Sequence, residues 1–455
     1  MNVPEDWIAP RHAQLALVGS LQTDKIPFSG RSTTPPTDGE MPQAEQFLRE
    51  IRRQPDDTVP RLIYADWLEE RGDARAELIR VQCELETHDD IPEDFSLALK
   101  ARERELIADL ESQCLADLDT LAVRAVRFRG GLVDAVIVEG DRFLQHGRIL
   151  SRWAPALRSL DWRQMPRDAG TALRQALRSP FLSAVTELDL SDNSIGRSGI
   201  PELANARRSE QLRSLYVSQT RLAGPGMQEL MRAALWSLER LDCSHNGLSP
   251  FDVQALTRSE QFAKLTTLDL SHNTIADDGL RMLSQWDRLR SLRDLNLSYN
   301  DIGPVGMKTL TVSEHMVDLD TLDLSGNIMH GGGIQEIASG SNFSRLSRLK
   351  LNDAGLEATD LTRLVRSPYL KRLTHLELDF NPLGELDPDI MQSPILSRLR
   401  QLSLRHTQLD NVTAREIAKS DAFTSIEQLD VRENPLIDSR TKLLLNERFG
   451  PRVQF

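Results

Sequence analysis

Three side chains able to carry a proton or present a ring, His245, His272 and Tyr299, follow one another at intervals of 27 residues. Two further rings, Phe380 and His406, lie 26 residues apart later in the chain. Two imidazoles on adjacent strands are a partial metal site, because neutral histidine is a common ligand. No third ligand recurs at a matching position, so the spacing predicts no metal. Exposed rings in a chain with only 5% aromatic residues read either as bland surface or as interface anchors for a protein.

Other chemical signatures are missing. Gly331-Gly332-Gly333 is read as a repeat turn with no Lys-Ser/Thr behind it, so it cannot cradle a phosphate as a phosphate-binding loop does. No GxSxG elbow or HExxH helix is present. Cys243 occupies an apolar position, and Cys83 and Cys114 sit in helical patterns, so all three read as small core hydrophobes. Their separation offers neither a disulfide framework nor metal-ligand spacing. The expectation is a non-catalytic protein without cofactor or metal.

A second column is acidic. The positions Asp161, Asp189, Tyr216, Asp242, Asp269, Asn296, Asp323, Lys350, Glu377, Ser403 and Asp430 recur in step, and seven of these eleven are carboxylates. Over the stretch from Glu187 to Asp323, nine acids on the same face meet only Arg213, Arg240 and Arg293. The bland reading is a solvated Asp bonded to neighbouring Ser and Thr. The functional one is a surface that steers a basic protein. The composition excludes other partners: 55 Lys+Arg against 68 Asp+Glu, a net charge of −13, is a poor footprint for nucleic acid or an anionic membrane. No apolar run of about 18 residues predicts a membrane span. The opening Met1-Asn2-Val3-Pro4-Glu5-Asp6-Trp7 is unlike a secretory signal, which places the expectation in the cytoplasm.

A repeat holds these columns in register. The pattern LxxLxLxxN leads with Leu157, Val185, Leu212, Leu238, Leu265, Leu292, Leu319, Leu346, Leu373, Leu399 and Ile426, spaced 26 to 28 residues apart. Within "LTTLDLSHNTI", Leu268 and Leu270 alternate with polar residues, the period of a half-buried strand. A turn and a helical spacing of Leu280, Leu283 and Trp286 follow. Each unit is therefore strand, turn, helix, and stacking buries what one unit cannot. Strands need about 4.8 Å and helices about 10 Å, so the stack bends with parallel strands on the concave face and helices on the convex one. Asn recurs at the ninth position in seven copies (Asn193, Asn246, Asn273, Asn300, Asn327, Asn381, Asn434), where a buried amide can bridge backbone groups leaving the ladder. Met165, Thr220, Ala354 and Thr407 replace it elsewhere, which predicts irregularity near 165 and 354.

The motif, its Asn, the later Gly and the length resemble the leucine-rich repeats of the long ribonuclease-inhibitor-like class over residues 157–436. The resemblance implies an α/β horseshoe solenoid used as a binding platform. It also implies an alternative function, a GTPase-activating protein, since eukaryotic Ran activators share this repeat class. No rim Arg or Asn can be singled out for that role. A third expectation is structural assembly.

Ahead of the array, residues 1–41 carry "RSTTPPTDG" and predict a flexible tail with a short helix around Gln14–Gly19. Phe47, Leu48 and Ile51 predict a helix ended before Pro55, Thr58 a capped helix bearing Leu62, Ile63 and Trp67 and stopping at Gly72, and Asp73 the cap of a third. Phe47, Leu48, Ile51, Pro55 and Asp57, with most of the run "PRLIYADWLEERGDARAELIR" (60–80), resemble the repeat-companion domain of planctomycete-type bacterial proteins, whose biochemical activity is undefined; Ile63 and Leu78 depart from it conservatively. A long helix follows from Phe95 to Leu121, then two strands about Gly130-Gly131, with Val133, Val136 and Val138 as a degenerate opening repeat. The domain expectation is a tail over 1–41, a helical companion and capping region over 42–156, and about eleven repeats of 27 residues over 157–455. The site expectation is the concave face: Asp189, Tyr216, Asp242, His245, Asp269, His272, Asn296, Tyr299, Asp323, Phe380 and His406, holding a basic protein partner.

Overall fold

The computed structural model describes residues 41–455 except 55–56, 88–91, 147–148, 151–152 and 180–181. The tail over 1–40 and the helix expected around Gln14–Gly19 lie outside the described residues. Four helices open the structure: α1 (Met41–Arg53), α2 (Thr58–Glu69), α3 (Arg75–Thr87) and α4 (Glu93–Leu118). Asp57, not Thr58, caps α2: its carboxylate accepts the Val59 amide at 2.9 Å, and Thr58 is already helical. The buried stripe of α2 is Arg61, Tyr64, Ala65, Trp67 and Leu68, one step round from the expected face, leaving Leu62 at 38% exposure. Arg61 can lie inward because its guanidinium reaches Glu86 at 2.5 Å.

A hairpin of β1 (Val123–Arg129) and β2 (Leu132–Glu139) follows, antiparallel, with Arg129 opposite Leu132. Its two loop residues, Gly130 and Gly131, have φ of 56° and 74°, the left-handed pair a two-residue hairpin turn demands. From β2 onward the sheet is parallel. Val136 pairs with Leu160 and Val138 with Trp162 of β3 (Ser159–Arg163), so the expected opening strand joins the array.

Ten three-residue strands continue it: β4 (Glu187–Asp189), β5 (Ser214–Tyr216), β6 (Arg240–Asp242), β7 (Thr267–Asp269), β8 (Asp294–Asn296), β9 (Thr321–Asp323), β10 (Arg348–Lys350), β11 (His375–Glu377), β12 (Gln401–Ser403) and β13 (Gln428–Asp430). Strand order equals chain order throughout. The central residues, Leu188 through Leu429, pair repeat to repeat without a slip. β14 (Val453–Gln454) closes the run by setting Val453 against Leu429, a strand with no LxxLxLxxN motif to announce it.

Two details differ from expectation. Gly331–Gly333 do not form a turn; they open the helix His330–Ser339. Small residues fit there because a Cβ on Gly332 would stand 3.2 Å from Pro304 and one on Gly331 2.8 Å from Arg363. The unit after β11 has no α-helix between Pro388 and Arg398, only the short turns Pro388–Gln392 and Leu396–Arg398. Pro394 lacks an amide and disfavours the helical region for Ser393, which interrupts any longer helix.

One apolar cluster runs from Leu78 on α3 through α4 and every repeat to Val453. A smaller one gathers Ala44, Leu48, Ile51, Tyr64, Trp67 and Ile79 against Leu132 of the hairpin.

Candidate functional site

Every strand of the array ends the same way. The residue before the ninth position, from Gln164 to Glu433, has a positive φ between 48° and 67° in all eleven repeats. This left-handed bend turns the chain out of the ladder and delivers the Asn that repairs the lost hydrogen bonds. Asn300 is typical: fully buried, it donates to the carbonyls of Leu270 (2.8 Å), Leu297 (3.1 Å) and Ser298 (3.1 Å), while its own amide reaches Asn327 Oδ1 at 3.0 Å. Thr220 and Thr407 keep part of this role by donating to Val217 and Leu404, both at 2.8 Å. At Ala354 the expected irregularity is confined to hydrogen bonding. The Asn327 amide turns to its own repeat's Leu324 carbonyl (3.3 Å) and Met329 to the Ala354 carbonyl (3.1 Å), while the strand register is unbroken. At Met165 the β3–β4 register is likewise intact, and its amide is received by Asn193 Oδ1 at 2.9 Å.

The same bend brings the predicted rings together. His245, His272 and Tyr299 all occupy it, with φ of 54°, 53° and 53°, and all are exposed. His245 stacks on His272 with ring centroids 4.0 Å apart and planes at 12°; His272 stacks on Tyr299 at 4.4 Å and 14°. Gly326 ends the row, because a Cβ there would lie 2.3 Å from the Tyr299 ring. Phe380 and His406 form a separate, tilted pair at 5.3 Å, with the Arg405 guanidinium 5.3 Å from the Phe380 centroid. The five rings are therefore two clusters.

Burial, and then the neighbouring His245, hold the His272 pKa below its ordinary value, with Asp269 and Asp323 pulling the other way. A histidine depressed in the fold binds fewer protons folded than unfolded. Its contribution to stability is therefore present above a pH of about 6.5 and is lost as pH falls through the lowered folded value. An NMR titration is expected to place His272 below the ordinary histidine value and to show it rise in His245→Gln; an unmoved titration would contradict the charge coupling across the stack.

Beside the rings run the carboxylates. One oxygen of Asp189, Asp242, Asp269 and Asp323 accepts the amide two residues on, from Ser191, Ser244, Ser271 and Ser325, at 2.8 to 3.0 Å. These acids thus close the strand end as Asx turns. Asn296 does likewise for Ser298 and spends its amide nitrogen on Asp269 at 2.8 Å. What separates these acids is the second oxygen. Asp161 ion-pairs with Arg163 (2.8 Å), Glu377 with Lys350 (3.4 Å) and Asp430 with Arg432 (2.5 Å). Among the described residues no cation lies within ion-pair distance of Asp189, Asp242, Asp269 or Asp323. Burial raises the Asp242 pKa, and Asp269 and Asp189 push it further in the same direction, the mark of like charges left together. Tyr216 stands between Asp189 and Asp242 in register, half-buried and outside the ring row.

A family model described as Leucine Rich repeat matches residues 183–204, 263–284 and 288–310. The fold is a leucine-rich-repeat solenoid. Among solved structures it is similar to an internalin of Listeria monocytogenes, with 21% identity and a TM-score of 0.46 over 76% of this chain and 95% of that one. It is also similar to a chain of the Rad7 and Elc1 complex of yeast, with 12% identity and a TM-score of 0.51 over 91% and 96%. No curated protein matches the sequence.

In this leucine-rich-repeat array Cys243 is fully buried at an inward position, and burial drives its thiol well above the usual range. Burial also pushes Cys83 up to about 11 and Cys114 to about 12. Among the described residues no three His, Cys, Asp or Glu gather as a metal site, and no helix is long and apolar enough to cross a membrane. Sequence reasoning overlooked the rim where the strands begin. Three consecutive leucine-rich repeats, those led by Leu346, Leu373 and Leu399, carry Arg345, Arg372 and Arg398 immediately before that residue, a signal visible only when the position before the motif is compared as well.

Proposed function

We propose that this leucine-rich-repeat solenoid is a non-catalytic protein-interaction scaffold that holds a basic protein partner on its strand-lined face between Asp189 and Asp323. The observation that carries this reading is the juxtaposition of two costly features on one strip, exposed rings and half-buried carboxylates. A bulky side chain in a left-handed bend costs about 1 kcal/mol relative to glycine, and glycine itself stands at the equivalent Gly326. Three successive repeats nevertheless place rings there, stacked and exposed, beside carboxylates that lack the ion pairs found at both ends of the array. Aromatic anchors supply contact area, and unneutralised carboxylates supply steering toward positive charge. Residues 42–156 act in this reading as the cap that shields the first repeat of the domain spanning 157–455, supported by the apolar cluster shared between α4 and the repeats.

The test is capture of protein partners by the full chain. Asp242→Lys combined with Asp269→Lys is expected to abolish capture, and Tyr299→Gly to weaken it about tenfold while leaving the melting temperature nearly unchanged. Retention of the same partners by the double reversal would end this assignment.

A further inference from the structure

A second surface of opposite sign lies on the later repeats. An open depression of about 660 Å³ on the rim where β10 to β13 begin is lined by Arg345, Lys371, Arg372, Arg398 and Arg400, with only Asp320 and Glu427 in opposition. That is a local excess of cations in a chain whose net charge is −13. Arg345, Arg372 and Arg398 form a column because each directly precedes the leading apolar residue of its repeat, which sets them about 5 Å apart along the stack. Arg345 is satisfied by Asp318 at 2.6 Å and Arg400 meets Glu427 at 3.5 Å. Lys371 and Arg372 make no ion pair among the described residues, and the one bond of the Arg398 guanidinium runs to the Lys371 carbonyl at 3.5 Å. Exposed like charges held side by side repel, and among the described residues no carboxylate pairs with Lys371, Arg372 or Arg398.

We propose that this rim depression binds an acidic segment of a protein partner, as an anion site independent of the strand-lined face. The spread of the cations and the state of the backbone together favour an extended anion over a small one. Six amides along the depression are already used: Ser347 and Arg348 both donate to the Asp320 carbonyl, Thr374 and His375 to Ser347, Arg400 and Gln401 to Thr374. Spent on the ladder, those six cannot encircle a single phosphate. Recognition falls to long side chains spread over three repeats, a geometry that suits successive carboxylates on an extended peptide. A nucleic acid fits less well. It gains affinity by neutralising many phosphates, and beyond this patch it would face the acidic array.

The experiment is fluorescence anisotropy of a labelled oligo-glutamate peptide against the full chain, with a single-stranded oligonucleotide of equal charge as the second arm. Saturable peptide binding that weakens as salt is raised is expected. Arg372→Glu with Arg398→Glu should lower peptide affinity about tenfold or more. Asp242→Lys with Asp269→Lys should not lower it, which separates this site from the other face. Both arginines are exposed, so the variants fold, and a melting curve matching the parent confirms it. Absence of saturable peptide binding, undiminished binding after charge reversal, or tighter binding of the oligonucleotide would each overturn the proposal.

Discussion

Asn300→Ala is expected to lower the free energy of unfolding by about 4 kcal/mol, read from urea titration, because it deletes four buried hydrogen bonds worth about 1 kcal/mol each, three donated by Nδ2 and one that Oδ1 accepts from the Ile275 amide at 3.3 Å. The loss is bounded because the ladder is redundant. The Leu270 carbonyl keeps Asn273 Nδ2 at 2.8 Å and the Leu297 carbonyl keeps Asn327 Nδ2 at 2.8 Å. The Ser298 carbonyl keeps the His272 amide, also at 2.8 Å. Asn300→Asp separates donation from mere space filling. It preserves the shape, removes both donor hydrogens and turns a buried charge toward carbonyl oxygens, so it should destabilise more than Ala. If Asp proves as stable as the parent, the amide is not the bridge described here. Ala354, already present in the array, shows how such a gap is accommodated: the upstream turn closes on its own repeat.

Gly131→Val is expected to cost about 3 kcal/mol or more, since it combines left-handed strain of about 1–2 kcal/mol with overpacking against a helix. The left-handed φ of 74° is the smaller part. A Cβ at this position would meet the Ile79 backbone, Cα at 2.5 Å and N at 2.6 Å, and backbone cannot step aside as a flexible side chain can. The Gly131 amide also donates to Gln82 Oε1 at 2.6 Å, so the hairpin turn and α3 are joined at one point. Limited proteolysis should release the helical region from Gly131→Val before the repeats are cut. Equal protease resistance of variant and parent would show that the hairpin and α3 are not held together here.

Much of this molecule follows from short-range patterns. Leu268 and Leu270 alternate with polar residues, so a strand with an inward face is required whatever surrounds it. Gly130-Gly131 between two apolar runs suits only a tight hairpin, and repetition every 26 to 28 residues multiplies each local decision across the sheet. The outward columns, acidic at Asp242 and Asp269 and aromatic at His245, His272 and Tyr299, follow from the same period.

The missed features share a cause. β14 carries no motif, and pairs only because the preceding helix returns Val453 beside Leu429. The small residues that open the helix His330–Ser339 are matched to Pro304 and Arg363, which lie in other repeats and would crowd a Cβ at Gly332 and Gly331. The sequence alone determined the repeat, its inward leucines and the identity of each outward column, because these need only neighbours a few residues away. The tertiary structure alone decided that three rings stack in contact and that the arginine column borders one open depression. Those properties arise between side chains about one repeat apart, across the few ångströms that separate stacked strands, where period fixes the face but only packing fixes the contact.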